Sequence, residues 1–582
     1  MSNFRLKIVC TTDLHMEIFG FDDISESKLP DRGIQKLAHL IRDERRNGDC
    51  LVLDNGDFLQ GTVLADALAG SATHPLAQEM NEIGFDAITL GNHDFDYGVD
   101  RLHDFLKQVK APVLSSNLTC PELAGSYVPW HIKHVSVGTD RDQTDLAIGI
   151  VGVLPPQTTD WTGLQTAQVS IEDSVIAVER AARGVRKAGA DIVIALCHSG
   201  VGAIDATPGM ENAIWPISRI DGIDAIVAGH THEYIPSING GPAFDFGKPV
   251  IQPGAYARAI GILDLTLTKE TDWSISNWVA RYRFASEVAE PNPSAALAIP
   301  SRVDLQNDLD KVVGQANRPL FNHFAALGHD DAIRLVNEAI FYKMRSGLAG
   351  TQHDNVPLLA AGCSFWTSGT LDAPRFLQTD GTAIRERDLY VLAPFNNGIC
   401  AVRRSGQQLR EWLANASAFF STVVPGKAGQ TLKKNGVASY QLDNICGIEY
   451  EIDLSQPTQD PNARIPVLKF HEDDLSDEDD VIVAVSSYRA HGGGDLLAAP
   501  DKDILWRCDT DIRSLVRDFC RSQEVIELEQ KPFWRFSALA RTELSIDLPT
   551  HWLPEHPEPH QKVRTEKISE GTRLTLRLPE LA

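Results

Sequence analysis

The hydrophobic pattern of the first half of the chain predicts strands that alternate with helices. Short apolar runs rich in β-branched residues, which favour buried strands, occur at Leu6–Thr11, Leu51–Leu53, Ala87–Leu90, Val113–Leu114, Ala147–Val153, Ile192–Leu196 and Ala225–Val227. Apolar residues at helical spacing lie between them, as in the stretch from Ile34 to Ile41. Ser170–Asp173 has the form of a capping box and predicts a helix that begins there. Repeated β-α-β units predict an α/β fold with helices on both faces.

The pattern changes near residue 290, where three prolines predict a loop or crossing segment: Pro291, Pro293 and Pro300. An amphipathic helix then carries Ile333 and Met344 on its apolar face, and a second α/β region follows. Its predicted elements are strands at Leu358–Ala361, Leu389–Leu392 and Ile482–Val485 and a helix at Gln407–Ala414. We therefore predict four parts, namely a first domain at 1–328, a linker helix at 329–350, a second domain at 351–540 and an appendage at 541–582.

Composition narrows the class of partner. With 43% hydrophobic and 23% charged residues, the chain of 582 residues has the composition of a globular protein. Its net charge of −25 repels phosphate backbones, so we expect no nucleic-acid polymer as partner. No apolar run is long enough for a transmembrane helix, so we expect no membrane association. The first strand begins without a signal peptide, and the cysteines lack CxxC spacing, so we expect a cytoplasmic protein.

Five short polar segments each follow a predicted strand. They are Asp13-Leu14-His15, Gly56-Asp57, Gly91-Asn92-His93-Asp94, Cys197-His198 and Gly229-His230-Thr231-His232. Oxygen and imidazole ligands without thiolates suit Mn, Zn, Fe or Co. The candidates exceed the needs of one tetrahedral ion and fit two divalent ions with a shared carboxylate, for which Asp57 is the natural bridge. The chain has no phosphate-binding GxxxxGK[ST] loop, no HExxH and no GxSxG.

The order of these motifs resembles that of the calcineurin-like metallophosphoesterases. Two segments, Gly56–Gly61 and Gly91–Asp96, are similar to those of the 5′-nucleotidase and 2′,3′-cyclic-nucleotide 2′-phosphodiesterase/3′-nucleotidase family. The resemblance covers roughly residues 5–520. It implies an N-terminal metallophosphoesterase β-sandwich with flanking helices (αββα-like), a linker helix and a C-terminal α/β substrate-binding domain. It also implies hydrolysis of a small nucleotide substrate.

The resemblance implies a role for each polar segment. One metal takes the residues that match Asp13, His15, Asp57 and His232, and the other takes those that match Asp57, Asn92, His198 and His230. His93 and Asp96 match a catalytic pair, in which the imidazole stabilises charge on the phosphate and the carboxylate orients the imidazole. Asp96 is three residues beyond His93, close enough to accept from its ring and favour the charged form.

The second domain carries the predicted base-binding residues. Phe395 and Tyr488 match two aromatic rings that sandwich the nucleobase in the family, and Asn397 matches a base-contacting asparagine. Without the resemblance, Phe395 reads as a core residue and Tyr488 as a strand residue. Family 5′-nucleotidases often carry an Arg-containing, Gly-rich loop where this chain has Ala361–Trp366, without arginine. We therefore predict 2′,3′-cyclic nucleotides and 3′-nucleotides as substrates rather than 5′-nucleotides.

Several alternatives stay open. The enzyme is alternatively a 5′-nucleotidase or a hydrolase of another small anion, such as a sulfur compound or a sugar phosphate. A binding protein on a retired enzyme scaffold is a third class, although no predicted ligand is decayed. Relatives are commonly exported, which makes the periplasm the alternative location.

Overall fold

The protein forms two compact units, residues 1–305 and residues 306–582. The computed structural model describes residues 3–48, 50–138, 144–162, 169–238, 244–289, 301–353, 356–365, 376–548, 563–569 and 571–578. The predicted prolines between 290 and 300 lie outside these residues. Within the described residues, no helix combines the length and apolar character needed to cross a bilayer.

The first unit contains two six-stranded sheets packed face to face. In order across the first sheet, the strands are Trp273–Phe284, Ala259–Lys269, Asn3–Thr11, Cys50–Asp54, Ala87–Thr89 and Val113–Leu114. In order across the second sheet, they are Tyr234–Ile235, Val250–Pro253, Ala225–Ala228, Ile192–Cys197, Thr144–Val153 and Trp130–Val137. Side chains of both sheets, such as Ile8 and Ile194, share one buried core. The two sheets therefore form a sandwich.

Helices cover the outer faces of the sandwich. The first sheet packs against helices Ile34–Arg46, Val63–Leu68, Pro75–Ile83 and Val99–Leu106. The second sheet packs against helices Ser174–Lys187 and Ile214–Ser218. This confirms the predicted αββα arrangement.

Two local predictions are wrong. The helix predicted to begin at Ser170 begins at Ser174, because Asp173 is the residue whose carboxylate accepts from the first free amides. Ser170–Ile171 instead pairs with Leu118–Thr119 as a short strand. Leu389–Leu392, predicted as a strand, is the end of helix Glu386–Leu392. A four-residue apolar run carries too little periodicity to separate the two structures.

The second unit is built around a five-stranded sheet. Its strands, in order across the sheet, are Asp443–Cys446, Leu358–Cys363, Asp480–Ser486, Ile399–Ser405 and Ile504–Cys508. The longer helices of the unit are Asp331–Leu348, Gly406–Ala416 and Ile512–Ser522. The predicted amphipathic helix therefore begins at Asp331, where Asp330 accepts from the amide of Ile333. The mixed sheet with helices confirms an α/β second domain.

The segment predicted as an appendage, residues 541–582, contributes to this unit. Strands Glu543–Leu548, Val563–Ile568 and Gly571–Arg577 form a sheet with Gln430–Thr431. Their side chains Leu544, Ile546 and Leu574 belong to the same buried core as Trp412. A further sheet contains strands Asp473–Asp474, Leu468–Phe470, Glu449–Ile452 and Arg535–Phe536.

The remaining elements are short. Two-stranded pairs are Phe21–Asp22 with Ser27–Lys28 and Val312–Gln315 with Ala383–Arg385. The remaining α-helices among the described residues are Thr158–Trp161, Arg302–Leu309, Pro461–Arg464 and Ser487–Ala490.

Candidate metal centre

The predicted metal ligands of the first unit lie just beyond the ends of its parallel strands. Strands Asn3–Thr11, Cys50–Asp54 and Ala87–Thr89 run parallel, as do Ile192–Cys197 and Ala225–Ala228 in the second sheet. The polar residues that follow these strands in turn are Asp13, Asp57, Asn92, His198 and His230. The carboxyl ends of parallel strands are the usual place for a ligand site in an α/β sheet.

The structure brings six of the seven predicted ligands into two tight groups. Asp13, His15 and His232 form one group, and Asp57, His198 and His230 form the other; within each group the ligand atoms lie within 4.8 Å of one another. His198 connects the groups, because its Nε2 lies 3.0 Å from Asp57 Oδ2 and 3.8 Å from Asp13 Oδ1. Each group contains three of the four residues of one predicted ligand set; Asp57 falls in the group of His198 and His230 only, and Asn92 falls in neither group.

The backbone is strained at these residues. The φ angles of five predicted ligands lie in the left-handed region, between 48° and 72°, namely at Asp13, His15, Asp57, His230 and His232. Each such conformation costs a residue other than glycine about 1–3 kcal/mol and persists where the surroundings impose it. Strained residues of this kind cluster at active sites and ligand-binding sites.

Main-chain carbonyls fix two of the imidazoles. His15 Nδ1 lies 2.8 Å from the carbonyl oxygen of Gln60, and His198 Nδ1 lies 2.7 Å from that of Asn55. Each Nδ1–H donates to a carbonyl, so Nε2 is the nitrogen directed at the other predicted ligands, as in a metal-ligating histidine. The Nε2 atoms of His15 and His232 lie only 2.9 Å apart.

Burial and neighbouring charges shift the pKa values of the clustered residues. Burial disfavours the carboxylate of Asp57, but the neighbouring imidazoles, with His198 first, hold the pKa of this group well below its usual range. Burial would lower the pKa of His198, but Asp57 and Asp13 outweigh it and raise this pKa to about 10. Burial and His232 lower the pKa of His15 to about 4. Bound cations would replace protons among these groups.

A buried oxygen supports this fit. Asn92 is 3% exposed, and its Oδ1 has no hydrogen-bond donor within the residues that the structure describes. A buried polar atom without a partner costs about 1–3 kcal/mol. A divalent cation is the partner that an amide oxygen beside carboxylates and imidazoles would accept. The donor set therefore fits two divalent ions.

Asp94, for which the sequence suggested no role, holds the loop of Asp57. Its Oδ1 accepts from the amides of Phe58 and Leu59 at 2.9 and 3.1 Å, and its Oδ2 accepts from those of Asp57 and Gly91 at 3.0 and 2.8 Å. A Cβ on Gly91 would lie 2.1 Å from Asp57 Oδ1, so only glycine fits there. One buried carboxylate thus joins the segments of Asp57 and Asn92.

The predicted catalytic pair is in contact. His93 Nδ1 lies 2.9 Å from Asp96 Oδ2, and the backbone amide of His93 donates to Asp57 Oδ1 at 2.7 Å. Burial would lower the pKa of His93, but Asp96 and Asp57 outweigh it and raise this pKa to about 9. Asp96 therefore favours the charged form of this ring, which lies directly beside the candidate metal ligands.

A cavity in the second unit contains two of the three predicted base-binding residues. Phe395 and Asn397 line it together with Phe365, whose ring centroid lies 5.3 Å from that of Phe395 at 63°. The Tyr488 ring lies over Gly493, where an added Cβ would approach it to 2.4 Å.

The cavity also contains a guanidinium, although Ala361–Phe365 contributes no arginine. Arg489 is 3% exposed, and its Nε lies 2.9 Å from Asp443 Oδ2. The indole of Trp412 donates to the same oxygen at 2.8 Å. The ion pair of Arg489 and Asp443 is thus held in one position and lines one part of a mainly apolar cavity.

Two further side chains contact the metal cluster without any sequence signal. Trp161 stacks on His230, and Glu211 contacts its Nε2. Both lie outside the five polar segments, and neither belongs to a recognisable motif.

Comparisons with known proteins agree with this description. Residues 6–234 match the calcineurin-like phosphoesterase family, and residues 312–500 match the 5′-nucleotidase C-terminal domain family. The chain is 27% identical over 579 residues to the trifunctional nucleotide phosphoesterase protein YfkN of Bacillus subtilis. This alignment covers 93% of the chain but only 40% of YfkN. The chain is 28% identical over 580 residues to the 2′,3′-cyclic-nucleotide 2′-phosphodiesterase/3′-nucleotidase of Haemophilus influenzae. This alignment covers 92% of the chain and 88% of the Haemophilus influenzae protein.

A solved structure shows the same fold. A crystal structure of a Staphylococcus aureus protein in complex with alpha-ketoglutarate superposes with a TM-score of 0.68 at 21% identity. The alignment covers 91% of this chain and 99% of that one.

Proposed function

Because this chain joins a calcineurin-like phosphoesterase domain to a 5′-nucleotidase C-terminal domain, we propose that it is a metal-dependent hydrolase of nucleotide phosphoesters. Its proposed substrates are 2′,3′-cyclic nucleotides and 3′-nucleotides. The observation that carries the proposal is the pair of mostly buried ligand groups with strained backbone at the strand ends.

Two observations favour these substrates over 5′-nucleotides. The Haemophilus influenzae relative is similar along almost its whole length and is named for the cyclic and 3′ activities. The segment Ala361–Trp366 also lacks the arginine that is frequent in family 5′-nucleotidases. A 5′-nucleotidase remains the second candidate, since the C-terminal domain family bears that name.

The proposed ligands divide between two divalent ions, of which Mn, Zn, Fe and Co are the candidates. Asp13, His15 and His232 would hold one ion, His198, His230 and Asn92 would hold the other, and Asp57 would contribute to both. When bound, such ions supply Lewis-acid activation of the phosphoester. The strand-end loops contribute preorganisation, because they hold the ligand side chains in place before any substrate binds.

His93 and Asp96 are the proposed catalytic pair. Asp96 occupies Nδ1 and keeps the ring cationic, so we assign Nε2–H as the donor to the negative charge that develops on the phosphoryl oxygens. The bond from the His93 amide to Asp57 ties this donor to the shared ligand. The donor is therefore oriented before the reaction, as electrostatic stabilisation of a transition state requires.

The cavity of the second unit is the proposed base site. Phe395 offers an aromatic face and Asn397 an amide that can both donate and accept hydrogen bonds. Tyr488 does not line this cavity, and its place as the second ring rests on the family resemblance alone. Stacking tolerates any base, so base preference would depend on polar groups such as Asn397.

Substrate and metal dependence test the function directly. With Mn²⁺, we expect the protein to open the cyclic phosphoester of 2′,3′-cyclic AMP and to release phosphate from 3′-AMP. Both activities should be lost with chelator, because the ions supply the Lewis acid. The measurement is product release from these two substrates, 5′-AMP and an aryl phosphate, each with Mn²⁺ or chelator. Preference for 5′-AMP would contradict the proposed substrate class, and activity on the aryl phosphate alone would contradict a nucleotide substrate.

Replacing Phe395 by Ala tests the base site. Losing one stacking face costs about 1–3 kcal/mol, so we expect kcat/KM for 3′-AMP to fall about 5- to 150-fold, while kcat/KM for the aryl phosphate is unchanged. Phe470→Ala is the matched control, because Phe470 is a half-buried phenylalanine packed on His471 in the same unit. Equal losses on both substrates would refute a role in base binding.

A further inference from the structure

The imidazole of His230 is held by two side chains from outside the five polar segments. The Trp161 ring stacks on it at 8° with a centroid distance of 5.6 Å. Glu211 Oε1 lies 2.7 Å from its Nε2. Trp161 is 3% exposed, and the Glu211 side chain is 15% exposed, so both contacts are sheltered from water. His230 is therefore enclosed on one ring face and at one nitrogen.

The segments that carry these side chains are themselves anchored. Ser199, which directly follows His198, donates from Oγ to the carbonyl oxygen of Glu211 at 2.9 Å. Gln157, at the start of the short helix that ends with Trp161, donates to the carbonyl oxygen of Gly209 at 2.5 Å. The loop of Glu211 is thus tied both to a predicted ligand segment and to the helix of Trp161.

This arrangement determines which ring nitrogen of His230 is available to an ion. Glu211 occupies Nε2, so Nδ1 is the atom that completes the group with Asp57 and His198. A carboxylate that accepts from the second nitrogen of a metal-ligating histidine fixes its tautomer and raises its basicity. An indole against the ring face restricts its rotation and keeps water from that side.

We propose that Glu211 and Trp161 are positioning residues that set the affinity of one of the two ions, the one held by Asp57, His198 and His230. This inference rests on the proposed metal centre. The other group, which contains Asp13, is held by different contacts: the carbonyl oxygen of Gln60 accepts from His15 Nδ1, and the Tyr256 ring contacts His15 and His232 at centroid distances of 5.2 and 5.1 Å. The two ions should therefore respond differently to changes at Glu211 and Trp161.

Calorimetric titration of the metal-stripped full chain with Mn²⁺ tests the proposal. We expect two binding events, of which Glu211→Ala weakens one about 10- to 100-fold, as is typical for loss of such a partner. Trp161→Ala should weaken the same event about 2- to 10-fold, the equivalent of one aromatic contact. Glu211→Gln, which keeps an acceptor, should lose less than Glu211→Ala, and Trp161→Phe should retain most of the affinity.

Two control variants come from the same unit. Glu179→Ala removes an exposed carboxylate paired with Arg183, and Trp215→Ala removes an indole packed on Phe246; both should leave the two events unchanged. Unchanged affinities in Glu211→Ala and Trp161→Ala would overturn the proposal, and so would an equal weakening of both events. Absence of any Mn²⁺ binding by the unmodified protein would instead overturn the metal centre itself.

Discussion

Replacing Asp57 by Asn is expected to lower kcat for the proposed substrates about 1,000-fold or more. Asp57 belongs to one ligand group, lies 3.0 Å from His198, and accepts the amide of His93. The asparagine keeps the size and one acceptor but removes the negative charge that the two proposed ions would share. Loss of several kcal/mol of metal-derived stabilisation corresponds to about three factors of ten in rate. Steady-state kinetics and Mn²⁺ titration would measure the two effects together.

The control for this change is Asp104→Asn. Asp104 is 60% exposed and pairs only at the surface with Lys107 in the same unit, so its replacement should leave turnover unaltered. Near-normal kcat in Asp57→Asn, with two intact Mn²⁺ binding events, would show that Asp57 is not the shared ligand.

Replacing His93 by Ala is expected to lower kcat about 100- to 1,000-fold, the usual cost of removing one preorganised donor to a developing oxyanion. Metal affinity should stay intact, because His93 is not a proposed ligand. Measuring kcat together with Mn²⁺ affinity distinguishes the role of His93 from that of Asp57, because replacing Asp57 should reduce both quantities. The kcat of Asp96→Asn should lie between that of the parent protein and that of His93→Ala, because the change makes the imidazolium less favourable but leaves the ring in place.

His39 provides the control for this second change. It is a half-exposed histidine of the same unit that pairs with Asp43, and His39→Ala should have normal kinetics. A kcat in His93→Ala within a factor of two of the parent protein would contradict the catalytic assignment.

The fold was predictable where the chain forms parallel strands with intervening helices. Buried parallel strands such as Ile192–Cys197 are continuous apolar runs, and most of them were located within three residues, although Val250–Pro253 was not predicted. The antiparallel strands Ala259–Lys269 and Trp273–Phe284 were not predicted, although Leu263–Thr268 alternates apolar and polar residues as a half-buried strand does. The segment 541–582 was set apart by its composition, yet its strand residues Leu544 and Ile546 are core. Composition averaged over a segment hides alternation at single positions.

The candidate site was predictable because chemistry and sequence position coincide there. Each polar segment follows a strand directly, so proximity in the sheet follows from topology. Glu211 and Trp161 could not be found this way, since they reach His230 from loops whose path depends on tertiary packing. Arg489 was not predicted for a related reason. The resemblance identified its neighbour Tyr488, but the buried contact of Arg489 with Asp443 depends on the strand order of the second unit.

The contrast between the ways the imidazoles are held has an evolutionary consequence. His15 and His198 lean on the carbonyl oxygens of Gln60 and Asn55, atoms that every amino acid possesses. No point mutation deletes such a contact, so the orientation of these two rings is inherited with the path of the loop. His230 depends on side chains, which a single nucleotide change can remove. Divergence among descendants of this chain should therefore reach the surroundings of His230 first, and with them the affinity for one ion alone.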